Sequence, residues 1–200
     1  MRLVLASNNE KKLAELKTLF APLKLDLVMQ ASLGIAEADE PHVSFVENAL
    51  AKARHAAQHA GAPAIADDSG LCVSALNGAP GVLSARYATL FGQPKSDLDN
   101  NLMLLQKMQG IEDRRARFVS ALVAVRSADD PEPLIAMGRW EGVILTAQRG
   151  KGGFGYDPLM FIPLLNQTVA ELSAEVKNKH SHRAIAAQQM LVMMREAWLE

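Results

Sequence analysis

An apolar run, Arg2 to Ser7, is closed by Asn8-Asn9 and followed by apolar residues at Leu13, Leu16 and Phe20; this opening most constrains what the chain can become. The run reads as a buried strand. Asn is a good helix N-cap type, and the spacing behind it is a helical stripe. The segment is therefore strand, tight polar turn, helix. Leu25 to Met29 reads as a second strand, and residues 31–43 are irregular and acidic, with Glu37, Asp39 and Glu40 ahead of Pro41. Ser44 and Glu47 form a capping box. The helix behind it carries Val46, Ala49, Leu50, Ala53, Ala57 and Ala60 on one face and stops at Gly61.

The middle of the chain changes character. Ala64-Ile65-Ala66 reads as a short strand running into Asp67-Asp68-Ser69-Gly70. Leu71 to Leu76 returns as a further strand, and Asn77-Gly78 is a turn signal. Asp97 to Met108 is helical in pattern. Ala116 to Val125 and Leu134 to Leu145 read as a long antiparallel hairpin turning at Asp130-Pro131-Glu132-Pro133. Thr168 and Glu171 give a second capping box, and a last helix near Ser181 to Leu199 buries Ala187, Leu191, Met194 and Trp198. Strand–helix units at one end with hairpins in the middle predict an α/β fold on a mixed sheet, not a purely parallel one.

Composition excludes several functions. A length of 200 residues suffices for one sizeable domain or two small lobes. A net charge of −1 argues against a broad nucleic-acid surface, which needs a basic excess. The single cysteine, Cys72, rules out an internal disulfide framework and fits a reducing cytosol. Its setting between Leu71 and Val73 reads as core. Asn8, Glu10 and Lys11 end the first apolar run before a signal-peptide core or a membrane span forms, so a cytoplasmic location is expected.

Five segments could carry chemistry. Gly150-Lys-Gly-Gly-Phe-Gly-Tyr-Asp-Pro158 has four glycines in six positions, which let backbone N–H groups approach a ligand. Phe154 within it offers a ring for stacking on a flat ligand, with Lys151 and Asp157 on either side; a long Gly-rich hairpin turn is the equal alternative. Ser7 to Lys12 lies where a strand meets a helix N-terminus, a place that favours an anion; an ordinary capped helix is the commoner outcome. Asp67-Asp68 puts two carboxylates after an apolar strand, where negative charge is costly without a counter-ion. In strand geometry the two point to opposite faces, so one is structural while the other faces a site. Oxygen ligands of this kind suit Mg²⁺, with Glu40 as a second ligand; a solvated acidic turn is the alternative. Asn48 and Lys52, four apart on a helix, share a face that is directed at the same phosphates or at solvent. Lys177, Lys179, His180, His182 and Arg183 crowd the entry to the last helix, as an oxo- or phosphate-recognising cluster or as a basic surface turn. No Walker A pattern, zinc spacing or nucleophile elbow is present.

Taken in order, Ser7-Asn8-Asn9 with Lys12, Phe45-Val46-Glu47-Asn48-Ala49, Ala66 to Leu71, Gly153 to Pro158 and Ser181-His182-Arg183 resemble the Ham1-like family of non-canonical purine nucleoside triphosphate pyrophosphatases. Ala79-Pro80-Gly81 and Ser84-Ala85-Arg86-Tyr87 are similar to it as well. The resemblance covers essentially the whole chain. It implies one domain over residues 1–200, with an elongated mixed sheet flanked by helices, two lobes and a central cleft. It implies a homodimer, no nucleic-acid or membrane partner, and Mg²⁺-dependent hydrolysis of ITP, dITP and XTP to monophosphate and pyrophosphate. Residue by residue, it implies Asp68 as the general base or metal-linked carboxylate and Glu40 as a metal ligand. It implies Ser7, Asn8, Asn9, Glu10, Lys11, Lys12 and Ser69 at the triphosphate, with Lys52 nearby. Phe154, Gly155, Tyr156, Asp157, Lys177, His182 and Arg183 would take the nucleoside end. A Maf-like pyrophosphatase for other modified nucleotides and a non-catalytic nucleotide sensor are the competing readings.

Overall fold

A computed structural model describes residues 1–198, so the expected helix end at Leu199 lies outside the described residues. Strand β1 (Arg2–Leu5) pairs in parallel with β2 (Asp26–Met29) and with β3 (Ala64–Val73), Val4 facing Val28 on one side and Ala64 on the other. Helix α1 (Glu10–Phe20) connects β1 to β2, and α2 (Phe45–Ala60) leads into β3. Parallel neighbours need such crossovers, because a tight turn cannot reverse the chain twice. The sheet continues through β4 (Arg115–Val125) and β5 (Leu134–Ile144) to β6 (Met160–Ile162) and β7 (Gln167–Thr168). β5–β6 and β6–β7 are antiparallel, and the strand order is β2-β1-β3-β4-β5-β6-β7. The sheet is thus mixed, as expected.

Two compact units emerge. The first comprises Met1–Asp68, Ser120–Gly138 and the chain from Ser181 onward; the second comprises Ser69–Val119 and Arg139–His180. In the first unit, the strand period of two sorts side chains between faces. Leu3, Leu5, Ile65, Leu122 and Ala124 pack with Leu16 and Phe20 of α1 and with Ala187, Met190 and Met194 of α5 (His182–Trp198). Val4, Ala6, Ala64, Ala66, Ala121 and Val123 pack instead with Ala49, Ala53, Ala56 and Ala57 of α2. Small residues on both sides of that second seam bring the helix close to the sheet. Gly138 does the same for α5, since a Cβ there would lie 1.9 Å from the carbonyl oxygen of His182.

The second unit has its own core, including Leu71, Val73, Phe118, Trp140, Tyr156, Met160 and, from α3 (Asp97–Lys107) and its end, Leu104 and Met108. A 3-10 segment over Gly81–Phe91, interrupted at Arg86, and the short α4 (Ala174–His180) went unforeseen in the sequence. Residues 145–159 connect the antiparallel β5 and β6, so the Gly150–Pro158 segment is indeed a hairpin connection. Among the described residues no helix is long and apolar enough to cross a membrane.

Candidate functional site

The sequence separates two strands at Asp67-Asp68-Ser69-Gly70, with a solvated acidic turn as one alternative there. The structure instead runs β3 unbroken through all four, with Asp67 and Asp68 both buried. A solvated acidic turn is therefore excluded. Register decides the rest: Asp67 shares the face of Ile65, toward α1 and α5, and Asp68 shares the face of Ala66, toward α2.

Asp67 is saturated. Its Oδ2 accepts from Arg183 Nε at 3.0 Å and Nη2 at 2.9 Å, and lies 3.1 Å from Lys12 Nζ. Its Oδ1 accepts from Ser120 Oγ at 2.7 Å. Burial opposes the charge, but Arg183 and Lys12, with the bonds from Ser120 and Arg183, hold the carboxyl well below the usual carboxylate range. Arg183 also bonds Glu15 of α1. Burial pushes the Lys12 ammonium below its ordinary value despite Asp67.

Asp68 is different. Lys52 Nζ donates to its Oδ1 at 2.7 Å and to Glu40 Oε1 at 2.8 Å, so one ammonium joins both carboxylates. Asp68 Oδ2 is buried and has no hydrogen-bond partner among the described residues. Burial raises the Asp68 carboxyl above its ordinary value, with Lys52 opposing. Burial works against the Lys52 charge, yet Asp68 and Glu40 together raise it. Lys12 and Lys52 both donate to the backbone carbonyl of Asp67, at 3.2 and 3.4 Å, so two ammonium groups meet at one point beside Asp68. Glu40 is brought there by Asn48, whose amide donates to His42 O at 3.1 Å and accepts from His42 N at 3.0 Å. Asn48 is thus neither on a solvated face nor aimed at phosphate; it ties the acidic loop to α2.

At the start of α1, Asn9 Oδ1 accepts from the amides of Lys11 and Lys12 at 3.0 and 3.1 Å, and Ser7 Oγ accepts from Asn9 N at 3.1 Å. Asn8, Glu10 and Lys11 are exposed, and Ser7 and Ser69 are half-buried.

In the second unit, Asp157 Oδ2 accepts from Phe154 N at 3.0 Å and from Lys177 Nζ at 2.8 Å. That ammonium sits 4.5 Å from the centroid of the half-buried Phe154 ring. Gly153 adopts φ +73°, and a Cβ on it would lie 2.0 Å from Asp157 Oδ2, so only glycine lets the carboxylate fold back here. Tyr156 is buried and donates to Ser84 O at 2.9 Å. The side chains of Tyr156 and Asp157 therefore build the loop. Ser181 caps α5 through Ala184 N at 3.1 Å, and His182 opens that helix, buried. Arg183 was expected at the nucleoside end. The structure gives its guanidinium, 1% exposed, to Asp67 and Glu15.

Sequence reasoning passed over Glu15, Ser120 and Gly138. A lone serine in the apolar run Phe118 to Val125 and a glycine inside a strand pattern were the available signals.

Residues 3–193 match the model of the Ham1 family. The chain is 64% identical to a dITP/XTP pyrophosphatase of Leptothrix cholodnii, over 99% of each chain. It is 63% identical to one of Methylibium petroleiphilum over the full length of both. The solved structure of a HAM1 protein from Coxiella burnetii superimposes with a TM-score of 0.91 at 42% identity, covering 98% of this chain and 100% of that one.

Proposed function

The chain belongs to the Ham1 family, and from that premise we propose how its residues work. It hydrolyses non-canonical purine nucleoside triphosphates, ITP, dITP and XTP, to the monophosphate and pyrophosphate. Releasing pyrophosphate requires water to attack the α-phosphorus through a shield of negative oxygens, so charge neutralisation comes first. Lys12 and Lys52 supply it, two ammonium groups already gathered at one carbonyl. Asp68 orients the water and takes its proton. The observation that carries this assignment is the buried Asp68 Oδ2 with no hydrogen-bond partner among the described residues, on a carboxyl that burial has made more basic.

Glu40 and Asp68 fit Mg²⁺ as hard oxygen donors: two carboxylates converge on one cationic group, and Asp68 Oδ2 retains open acceptor capacity. Bound there, the ion would neutralise phosphate charge and lower the pKa of a bound water. At the nucleoside end, Phe154 stacks on the purine, and donors from Lys177 and His182 suit the C6 oxo group of hypoxanthine or xanthine while opposing the amino group of adenine. Ser7 to Lys12 and Ser69 take the triphosphate. The protein is read as a cytoplasmic homodimer, which sedimentation tests by returning twice the chain mass of 21.7 kDa.

The deciding assay is pyrophosphate release from ITP, XTP, dITP, GTP and ATP, with and without Mg²⁺, for the wild type and Asp68→Asn. The reading expects turnover of the first three, dependent on Mg²⁺ and abolished in the variant while its melting temperature holds. Near-normal activity of Asp68→Asn refutes the role of Asp68.

A further inference from the structure

We infer that Asp97 and Asn101 of α3 are positioning residues for the purine end, acting through the peptide that follows Phe154. The inference rests on the reading of Phe154 as the stacking ring. Asp97 and Asn101 stand four apart and so share one face of α3. Gly155 N donates to Asp97 Oδ2 at 2.7 Å, and Asn101 Nδ2 donates to Gly155 O at 2.8 Å. Both polar groups of Gly155 are therefore held by one helix. Phe154 N is held in turn by Asp157 Oδ2 at 3.0 Å, so two successive amides flanking the ring-bearing Cα are both tied to carboxylates.

Two details separate this from an incidental contact. Asn101 Nδ2 also donates to Asp97 O at 2.6 Å, so turning the amide over would aim its oxygen at two carbonyl oxygens. Its orientation is thereby determined, although Asn101 Oδ1 is left buried without a partner among the described residues. A buried acceptor left unmade is destabilising, so the amide is a poor choice for packing alone and a good one for holding Gly155 O. Gly155 itself has φ +60° with nothing within 4 Å of a Cβ, so the backbone conformation, not space, requires glycine there. A loop of small residues would otherwise leave the ring free to wander, and stacking depends on where the ring lies.

The experiment compares KM for ITP with the inhibition constant of inorganic tripolyphosphate, a ligand with no base, in Asp97→Ala, Asp97→Asn and Asn101→Leu. Losing one hydrogen bond to a charged acceptor should raise KM for ITP about tenfold in Asp97→Ala while tripolyphosphate inhibition stays within about twofold. Asp97→Asn keeps an acceptor and should restore KM to near wild type. In a Phe154→Ala background, Asp97→Ala should add less than about a twofold effect, because the clamp acts through the ring. The exposed Asp97 keeps the test valid if Asn101→Leu fails to fold. An unchanged KM in Asp97→Ala, an equal loss for tripolyphosphate, or a full effect persisting without Phe154 overturns the inference. A wild type that does not turn over ITP overturns the underlying functional reading instead, and is seen before any variant is made.

Discussion

Replacing Asp67 by Asn removes the one carboxylate that both Arg183 and Lys12 face. Arg183 is 1% exposed and Asp67 is 1% exposed, so water cannot take over the lost interaction. Asn still offers an oxygen to Arg183 and an amide to Ser120, so the shape survives and mainly the charge goes. Arg183 keeps Glu15, whereas Lys12 loses the carboxylate 3.1 Å away. Breaking a buried pair typically costs about 3–5 kcal/mol, because a buried charge is left uncompensated. Against a total of about 5–15 kcal/mol, that brings the fold near its margin. For a chain of this size it corresponds to a melting temperature lower by roughly 6–20 °C.

The pH dependence supplies an independent check. The folded carboxyl lies well below its ordinary value, so its stabilisation is fully present above the unfolded pKa of about 3.9 and fades as pH falls toward the depressed folded value. Urea unfolding at pH 7 and at pH 3.5 should therefore show a gap between wild type and Asp67→Asn that narrows in acid. A loss under about 1 kcal/mol at pH 7, or a gap that is the same at both pH values, refutes the network.

Gly138→Ala should destabilise by about 1–3 kcal/mol or more, because the new Cβ meets the His182 carbonyl and the Ala186 amide, backbone atoms that cannot rotate away; thermal melts of the variant would show it. Log kcat/KM should fall on the acid side as Asp68 protonates, with a midpoint above the ordinary value of about 3.9 since burial raises that carboxyl; a profile flat down to pH 4 would contradict the base assignment. Gly153→Ala should raise KM for ITP several-fold while leaving tripolyphosphate inhibition alone, because its Cβ displaces the carboxylate that holds Phe154 N. Chelation with EDTA should stop turnover of XTP, and added Mg²⁺ should restore it.

Local signals carried most of the fold. Asn9, Ser44, Ser96 and Thr168 cap where the next amides need an acceptor, and the near-continuous apolar runs in Arg2 to Ala6 and Ala116 to Val125 mark strands covered on both faces. These are short-range effects, so composition and spacing express them. The 3-10 segment over Gly81–Phe91 has no sustained period and left no such trace.

The chemistry-bearing residues were likewise visible as types: paired carboxylates, Lys12, Lys52 and a glycine-rich loop around a phenylalanine. Their division of labour came only from the family resemblance, which implies Asp68 as the base, and not from the residues themselves. Asp67 and Asp68 are chemically the same in the sequence. Strand register sends one toward Arg183 and Lys12, where it is neutralised and saturated, and the other toward Lys52 with an oxygen left open. Arg183 reads as a ligand-binding cation until burial shows it bound to Asp67 and Glu15. Residues 116 positions apart in the chain become hydrogen-bonded neighbours only through packing. Desolvation and charge pairing depend on what lies within a few ångströms in space, so only the tertiary structure could decide which carboxylate is held and which is poised.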